Sequence, residues 1–143
     1  MKSITSANSV LMLSITGLYP IPQQLQGFAA DDIFDLGDIA PAEAVMGVDG
    51  KLSAGFVHVP IQQGIMLQAD SDSNDLFDAW FAAQQAAGEV YFANGIIRLP
   101  SVQRSFALTK GVLSSYKPAP DAKKTLQPRK HVLICDDISY SPF

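Results

Sequence analysis

Charged side chains are scarce in this sequence. Asp, Glu, Lys and Arg together make up 17% of the 143 residues, whereas hydrophobic residues make up 48%. Ordinary soluble chains carry about 25% charged residues. We therefore expect part of the surface to be covered by other copies of the chain or by a partner. The net charge of −4 argues against a protein that grips nucleic acid by neutralising its phosphates.

Cysteine and long apolar runs are also lacking. Cys135 is the only cysteine, which excludes an intrachain disulfide and a secreted scaffold that depends on one. No apolar run approaches the roughly 20 residues that a membrane-spanning helix needs. The apolar patch that follows Lys2 is interrupted by Ser14 and precedes no small-x-small cleavage site, so we expect no signal peptide.

Catalytic and metal-binding patterns are missing too. The only histidines, His58 and His131, lie far apart, and no zinc-protease, nucleophile-elbow, phosphate-loop or dinucleotide pattern occurs. Residues 70–74 begin like a calcium loop, but Asp75 and Phe81 stand where that loop needs glycine and glutamate. We expect no enzyme activity, no metal site and no cofactor.

One segment, residues 71–88, carries the signals of a helix. Its start offers the N-cap types Ser71, Ser73 and Asn74, and Gly88 is a natural left-handed stop. The pattern predicts a helix over about residues 73–87. Apolar residues recur inside it at three- and four-residue spacing. We expect this stripe to pack on a β-sheet. It consists of Leu76, Phe77, Trp80, Phe81, Ala83 and Ala87, of which Leu76, Phe77, Trp80 and Phe81 are the predicted helix core.

The rest of the chain alternates like β-strands. Asn94-Gly95 lies inside one of these segments and indicates either a tight turn or a bulge. In the last segment, Val132, Ile134 and Ile138 are predicted to share a face. The predicted fold is mainly β, an antiparallel β-barrel or β-sandwich with one flanking α-helix, in a single domain over residues 1–143. The segments are 9–16, 25–39, 57–69, 89–99, 106–116 and 131–138.

A hairpin is predicted near residues 42–58. Asp49-Gly50 lies between two extended arms, which is among the better local hairpin signals. The arms hold few large apolar residues, so we expect the hairpin to project from the body.

Charges of opposite sign are separated along the chain. The basic residues form one cluster and the acidic residues another, and the simple interpretation of each cluster is a solvated surface. The sharper hypothesis is that a basic loop of one subunit meets an acidic patch of the next, since separated charge blocks permit head-to-tail assembly. The candidate contact residues are Lys123, Lys124 and Arg129 on the basic side and Asp31, Asp32 and Asp35 on the acidic side.

Several stretches in this order and spacing resemble the tail tube proteins of contractile-tailed bacteriophages. They are ITSANSV, EAVMGVDGKLSAGFV, LQADS and RSFALTKGVLSSYKPAPDAKKTLQP. Together they span most of the chain up to about Ile134. The C-terminal tail, residues 135–143, matches no part of that pattern, and its role stays open.

The resemblance implies a β-barrel-like fold with a flanking helix, related to the ring protein of type VI secretion. It implies that six copies form a ring and that rings stack into a tube inside the sheath. Partners would be the sheath protein, the tape measure protein and the baseplate proteins that initiate the tube. DNA would pass without specific binding when the tail penetrates the host envelope. The protein would be made in the host cytoplasm and reside in the virion. The candidate contact with the next ring is Val48, Asp49, Gly50 and Lys51.

A second function class stays open at this point, a monomeric β-sandwich module that binds a ligand or carbohydrate. Such a module needs an exposed aromatic platform. The candidate tyrosines show no clustering in sequence, and they are Tyr19, Tyr91, Tyr116 and Tyr140.

Overall fold

A computed structural model of the chain describes residues 8–29 and 33–142. Within these ranges the chain forms ten strands and one α-helix, with a single 3-10 turn at Pro100–Val102. The elements are β1 (Val10–Ile15), β2 (Tyr19–Gln24), β3 (Phe34–Leu36), β4 (Ala42–Met46), β5 (Leu52–Phe56), β6 (Ile61–Leu67), α1 (Asn74–Ala87), β7 (Ala93–Leu99), β8 (Arg104–Ser115), β9 (Arg129–Cys135) and β10 (Asp137–Pro142).

Eight of these strands form one hydrogen-bonded sheet, seven along a single path and one off it, and all of the pairings are antiparallel. The order is β2-β1-β7-β8-β9-β6-β3, and β10 also pairs with β8. The mainly β, antiparallel fold with one flanking helix that the sequence predicted is confirmed. Among the described strands, β4 and β5 pair only with each other, as a separate two-stranded sheet.

Strand β8 pairs with three other strands, β7, β9 and β10. Its residues 104–109 pair with β10 and its residues 112–115 with β9, so β9 and β10 follow β8 in succession. The register against β7 shifts between Ala93 and Gly95, opposite Lys110, which has a positive φ of 53°. This irregularity decides the interpretation of Asn94-Gly95, which lies within β7 beside a bulge and not at a turn.

The helix α1 covers the core. Leu76, Phe77 and Trp80 are buried, and the Trp80 indole N–H donates to the Tyr91 carbonyl at 3.1 Å. Phe81 differs from the expected core stripe, because its side chain is 37% exposed and its ring stacks on Tyr116 with 4.7 Å between centroids. Of the four predicted core residues of the helix, three are therefore buried, and they are Leu76, Phe77 and Trp80.

The two ends of α1 differ in how well the sequence predicts them. Gly88 ends the helix with a φ of +67°, and its N–H donates to the Gln84 carbonyl. At the start, Ser73 is the N-cap residue but makes no side-chain cap. Its hydroxyl accepts from the Gln26 N–H at 2.8 Å instead. This serine therefore ties the helix to the loop after β2, which only the tertiary structure reveals.

Two other segments differ from the pattern. In the predicted extended stretch 25–39, the described residues 25–29 and 33–39 form one strand, Phe34–Leu36, and one isolated bridge at Phe28. The C-terminal tail contains a strand, since residues 137–142 pair with β8 over six register positions.

Candidate assembly surfaces

The β4–β5 hairpin stands outside the main sheet. All residues from 41 to 60 are exposed. Phe56 is 72% exposed, and Val48 is fully exposed at the turn. An isolated two-stranded hairpin is only marginally stable in water. The large exposed apolar side chains here are Val45, Met46, Val48, Leu52 and Phe56.

The turn of this hairpin is well defined. The Gly47 N–H donates to the Lys51 carbonyl at 2.7 Å, and Asp49 Oδ1 accepts from the Lys51 N–H at 3.2 Å. Gly50 has a φ of +84°, which the left-handed turn position requires. We call residues 48–51 the hairpin tip. The four residues that sequence analysis named for contact with the next ring all lie on it.

A cleft lies at the opposite end of the hairpin, between its base and the β9–β10 connection. Its volume is about 710 Å³. Apolar side chains contribute much of the lining, and Asp136 and Asp137 add two carboxylates. We call it the base cleft, and its main apolar residues are Ile39, Phe56, Val57, Val59 and Ile138.

The predicted charge contact separates into three cases. Asp31 and Asp32 lie outside the described residues. Asp35 is exposed on β3, and Lys123 and Lys124 are exposed together beside Asp70.

Arg129 contradicts the prediction of an inter-subunit contact. It is only 5% exposed, because the first residue of β9 points toward the helix. Its guanidinium pairs with Asp78 at 2.7 Å and also donates to the Lys117 carbonyl. The Tyr116 hydroxyl bonds to Asp78 as well. Arg129 therefore joins α1 to β9 within one chain.

The contacts among Arg129, Asp78 and Tyr116 shift the pKa values of these side chains. Burial alone would raise the pKa of the Asp78 carboxyl, but hydrogen bonds from Arg129 and Tyr116 outweigh it and hold that pKa below its usual value. Burial, reinforced by the Asp78 carboxylate, raises the pKa of the Tyr116 phenol. The Asp78 carboxylate, which is 42% exposed, thus stays charged beside Arg129.

A buried histidine lies next to this group. His131 is fully buried, and its ring stacks on Phe77 with 4.2 Å between centroids. Its Nε2 lies 3.3 Å from Asn74 Oδ1. Burial, followed by the charge of Arg129, lowers the pKa of His131 to about 4. The imidazole is therefore neutral at pH 7.

Sequence reasoning missed this buried polar group because it assigned the residues elsewhere. Arg129 was assigned to the basic side of a contact between subunits. The available signal was alternation, since Arg129 and His131 share the face of Leu133 and Cys135, whose side chains are buried.

The described residues show neither a metal cluster nor a membrane helix. Across residues 8–29 and 33–142 no three His, Cys, Asp or Glu side chains come together as a metal site. In the same ranges no helix is long and apolar enough to cross a membrane. His58, which is exposed, packs edge-on against Phe56.

Comparison with known proteins gives a family and a fold. Residues 2–136 match the model of a family described as tail fiber protein gp32. No curated protein sequence matches the chain.

Three solved structures share the fold over nearly the whole chain. A chain from the PVC sheath/tube terminator of an extracellular contractile injection system has a TM-score of 0.70 at 12% identity, covering 99% of this chain and 98% of that one. A chain from the anti-feeding prophage cap has a TM-score of 0.69 at 13% identity, covering 100% and 93%. A chain from the extended PVC sheath-tube complex has a TM-score of 0.64 at 12% identity, covering 93% and 88%. At such identities the likeness shows the fold, which is the fold that the resemblance to contractile tail tube proteins implied.

Proposed function

The chain belongs to the tail fiber protein gp32 family, and we propose that it is the subunit of the inner tube of a contractile tail. Six copies form a ring, and rings stack into a hollow tube that is the conduit for genome ejection. The fold shared with chains from sheath-tube and terminator structures supports this proposal.

The observation that carries the proposal is the exposed hairpin. Among the described residues its two strands pair only with each other, and the hairpin holds five large apolar side chains in water, four on the strands and Val48 in the turn. Met46 and Leu52 are register partners and lie on the same face as Phe56. An exposed apolar patch of this kind marks an interaction surface. Burial between copies removes that patch from water, and a chain with few charged residues is suited to such packing. The hairpin tip is our candidate contact with the neighbouring ring.

The partners follow from a tube inside a sheath. The sheath protein covers the outside, the tape measure protein occupies the lumen during assembly, and baseplate proteins start the first ring. DNA passes without specific binding, which a net charge of −4 favours because a cationic bore would retain phosphates. The subunit is made in the host cytoplasm, resides in the virion and crosses the host envelope with the tail.

We also propose a structural and not a catalytic role. Arg129 pairs with Asp78, and Tyr116 bonds to the same carboxylate, so these three side chains are engaged with one another. This group joins helix α1 to strand β9.

The description of the family favours a second candidate, a subunit of a tail fiber. A tube and a fiber differ in cross-section, because only the tube has a continuous axial channel. Negative-stain microscopy of the purified, assembled protein distinguishes a hollow rod from a solid one. Light scattering on the same sample tests the third class, the monomeric ligand-binding module, which requires a single-chain mass at every concentration.

Deletion of the hairpin tip tests the tube proposal directly. Without residues 48–51, we expect hexamers or monomers that cannot elongate. Gln85→Ala, an exposed change on α1, is the matched control and should assemble normally. Tubes of normal length from the deletion variant would show that the tip is not the inter-ring contact. A lone chain under every condition, initiator included, would overturn the tube.

A further inference from the structure

The hairpin has exposed apolar side chains at both of its ends, and no other part of the described chain covers them. One is the tip, where Val48 is fully exposed. The other is the base cleft, where Val59 and Ile138 contribute to the apolar lining. Two such surfaces on one chain can be covered together if one copy's tip enters another copy's cleft.

The cleft is large enough to receive the tip. Its volume of about 710 Å³ lies within the range of about 300 to 1,000 Å³ that binding pockets span. An apolar side chain such as Val48 can therefore leave water there.

The charges of the two surfaces are complementary. Lys51 lies at the tip, three residues after Val48, and Asp136 and Asp137 line the cleft. A tip seated by Val48 brings the Lys51 ammonium toward these carboxylates. Opposite charges at the edge of an apolar contact fix its orientation and register.

The occupant has to come from another copy. The strands of the hairpin have five residues each, so the tip and the base lie roughly 15 Å apart at about 3.3 Å per residue. Because both arms are paired along their whole length, the tip cannot fold back onto its own base. A contact between two different patches is head-to-tail, and it generates rings or stacks.

We propose that the hairpin tip of one copy binds in the base cleft of a second copy, with Val48 in the apolar lining and Lys51 paired with Asp136 or Asp137. This inference rests on the proposed function and names the surface that receives the tip. In a tube it makes every hairpin both a donor and an acceptor.

Cysteine cross-linking tests the position. Val48→Cys and Val59→Cys are made in separate chains, mixed, allowed to assemble and oxidised. We expect a disulfide-linked dimer on non-reducing electrophoresis. Val90→Cys, an exposed valine outside both surfaces, replaces Val59→Cys as the control and should give no dimer above the level of Val48→Cys alone. Cys135 can stay because it is buried.

Charge exchange tests the pairing. Lys51→Glu should raise the concentration needed for assembly about tenfold or more, because like charges then face each other. Adding Asp136→Lys should restore most of that loss. Adding Glu89→Lys, which changes the net charge equally but lies outside the cleft, should restore none.

The results of these experiments distinguish a failure of the tip–cleft contact from a failure of the tube proposal. If the wild-type chain forms tubes but the Val48–Val59 dimer is absent, or both added lysines rescue equally, the cleft is not the receiver and the tube proposal stands. If the wild-type chain never assembles, both fail together.

Discussion

Helix α1 and the β4–β5 hairpin both carry large apolar side chains, yet the two elements treat them in opposite ways. Phe77 of the helix is fully buried, whereas Phe56 of the hairpin is 72% exposed. The same side chain therefore stabilises the fold in one place and is available for association in the other. The number of apolar side chains in an element therefore does not show whether the element belongs to the core. An apolar face is buried only where another element packs against it.

The polar side chains divide in the same way. Between helix α1 and strand β9, Arg129 and Asp78 pair with each other inside one chain. At the hairpin, Asp49 fixes only its own turn, and Lys51 is exposed. Folding and assembly should therefore respond to different substitutions, and four predictions test that separation.

The largest contrast is between two phenylalanines. Phe77→Ala should lower the free energy of unfolding by about 3 to 5 kcal/mol, because it empties a buried site. Phe56→Ala should change it by less than about 0.5 kcal/mol. Urea unfolding of unassembled protein, followed by Trp80 fluorescence, measures both. Equal losses would contradict the division between core and hairpin.

The second contrast is in pH dependence. The pKa of His131 is lowered to about 4 from 6.5, so between these values the unfolded chain binds a proton that the folded chain does not. Stability should therefore fall as the pH falls through this window, by about 2 to 3 kcal/mol in total. Urea midpoints at pH 7 and pH 4.5 measure the change. His131→Gln should flatten the dependence, and His58→Gln in the exposed hairpin segment should keep it. If His58→Gln flattens it instead, the buried imidazole is not the cause.

The third contrast is between two cations. Arg129→Met should cost about 1.5 to 3 kcal/mol, as expected for hydrogen bonds to a charged group. The lower end applies because water partly screens Asp78, which is 42% exposed. Lys51→Met should leave the free energy of unfolding near its wild-type value. Chemical denaturation compares the two, and a similar loss in Lys51→Met would show that the hairpin supports the fold.

The smallest contrast uses two glycines with positive φ, at +67° in Gly88 and +84° in Gly50, and open space around both. A Cβ strains each position by about 1 to 2 kcal/mol. Gly88→Ala should lower global stability by about that amount. Gly50→Ala should mainly speed hydrogen exchange in the hairpin, since local opening relieves its strain. Hydrogen exchange with mass spectrometry separates these effects. A loss of global stability in Gly50→Ala would show that the hairpin unfolds together with the rest of the domain.

Local signals explain what the sequence could predict. The stop at Gly88 and the turn at Asp49-Gly50 depend on a few neighbouring residues, so both could be located from the sequence alone. Distant partners explain what it could not. The Ser73 hydroxyl bonds to the Gln26 N–H, which is far away in sequence.

Strand β9 shows the same limit for the predicted contact residues. Val132 and Ile134 do share a face, but it is the half-buried one. The core face carries Arg129 and His131, whose polarity makes it look like the surface. A shift of one residue exchanges the two faces of a strand, so only pairing with β6 and packing against α1 decide which side is inside.

The continuity of β8 through both parts of the sheet has a mechanical consequence. β9 and β10 follow it in succession, with register pairs from Arg104 to Ser115. A pull along this ribbon loads its hydrogen bonds in shear, so many must break together. A pull across it would open them one after another. A subunit with this ribbon should therefore resist stretching along β8 far more than peeling at its margin.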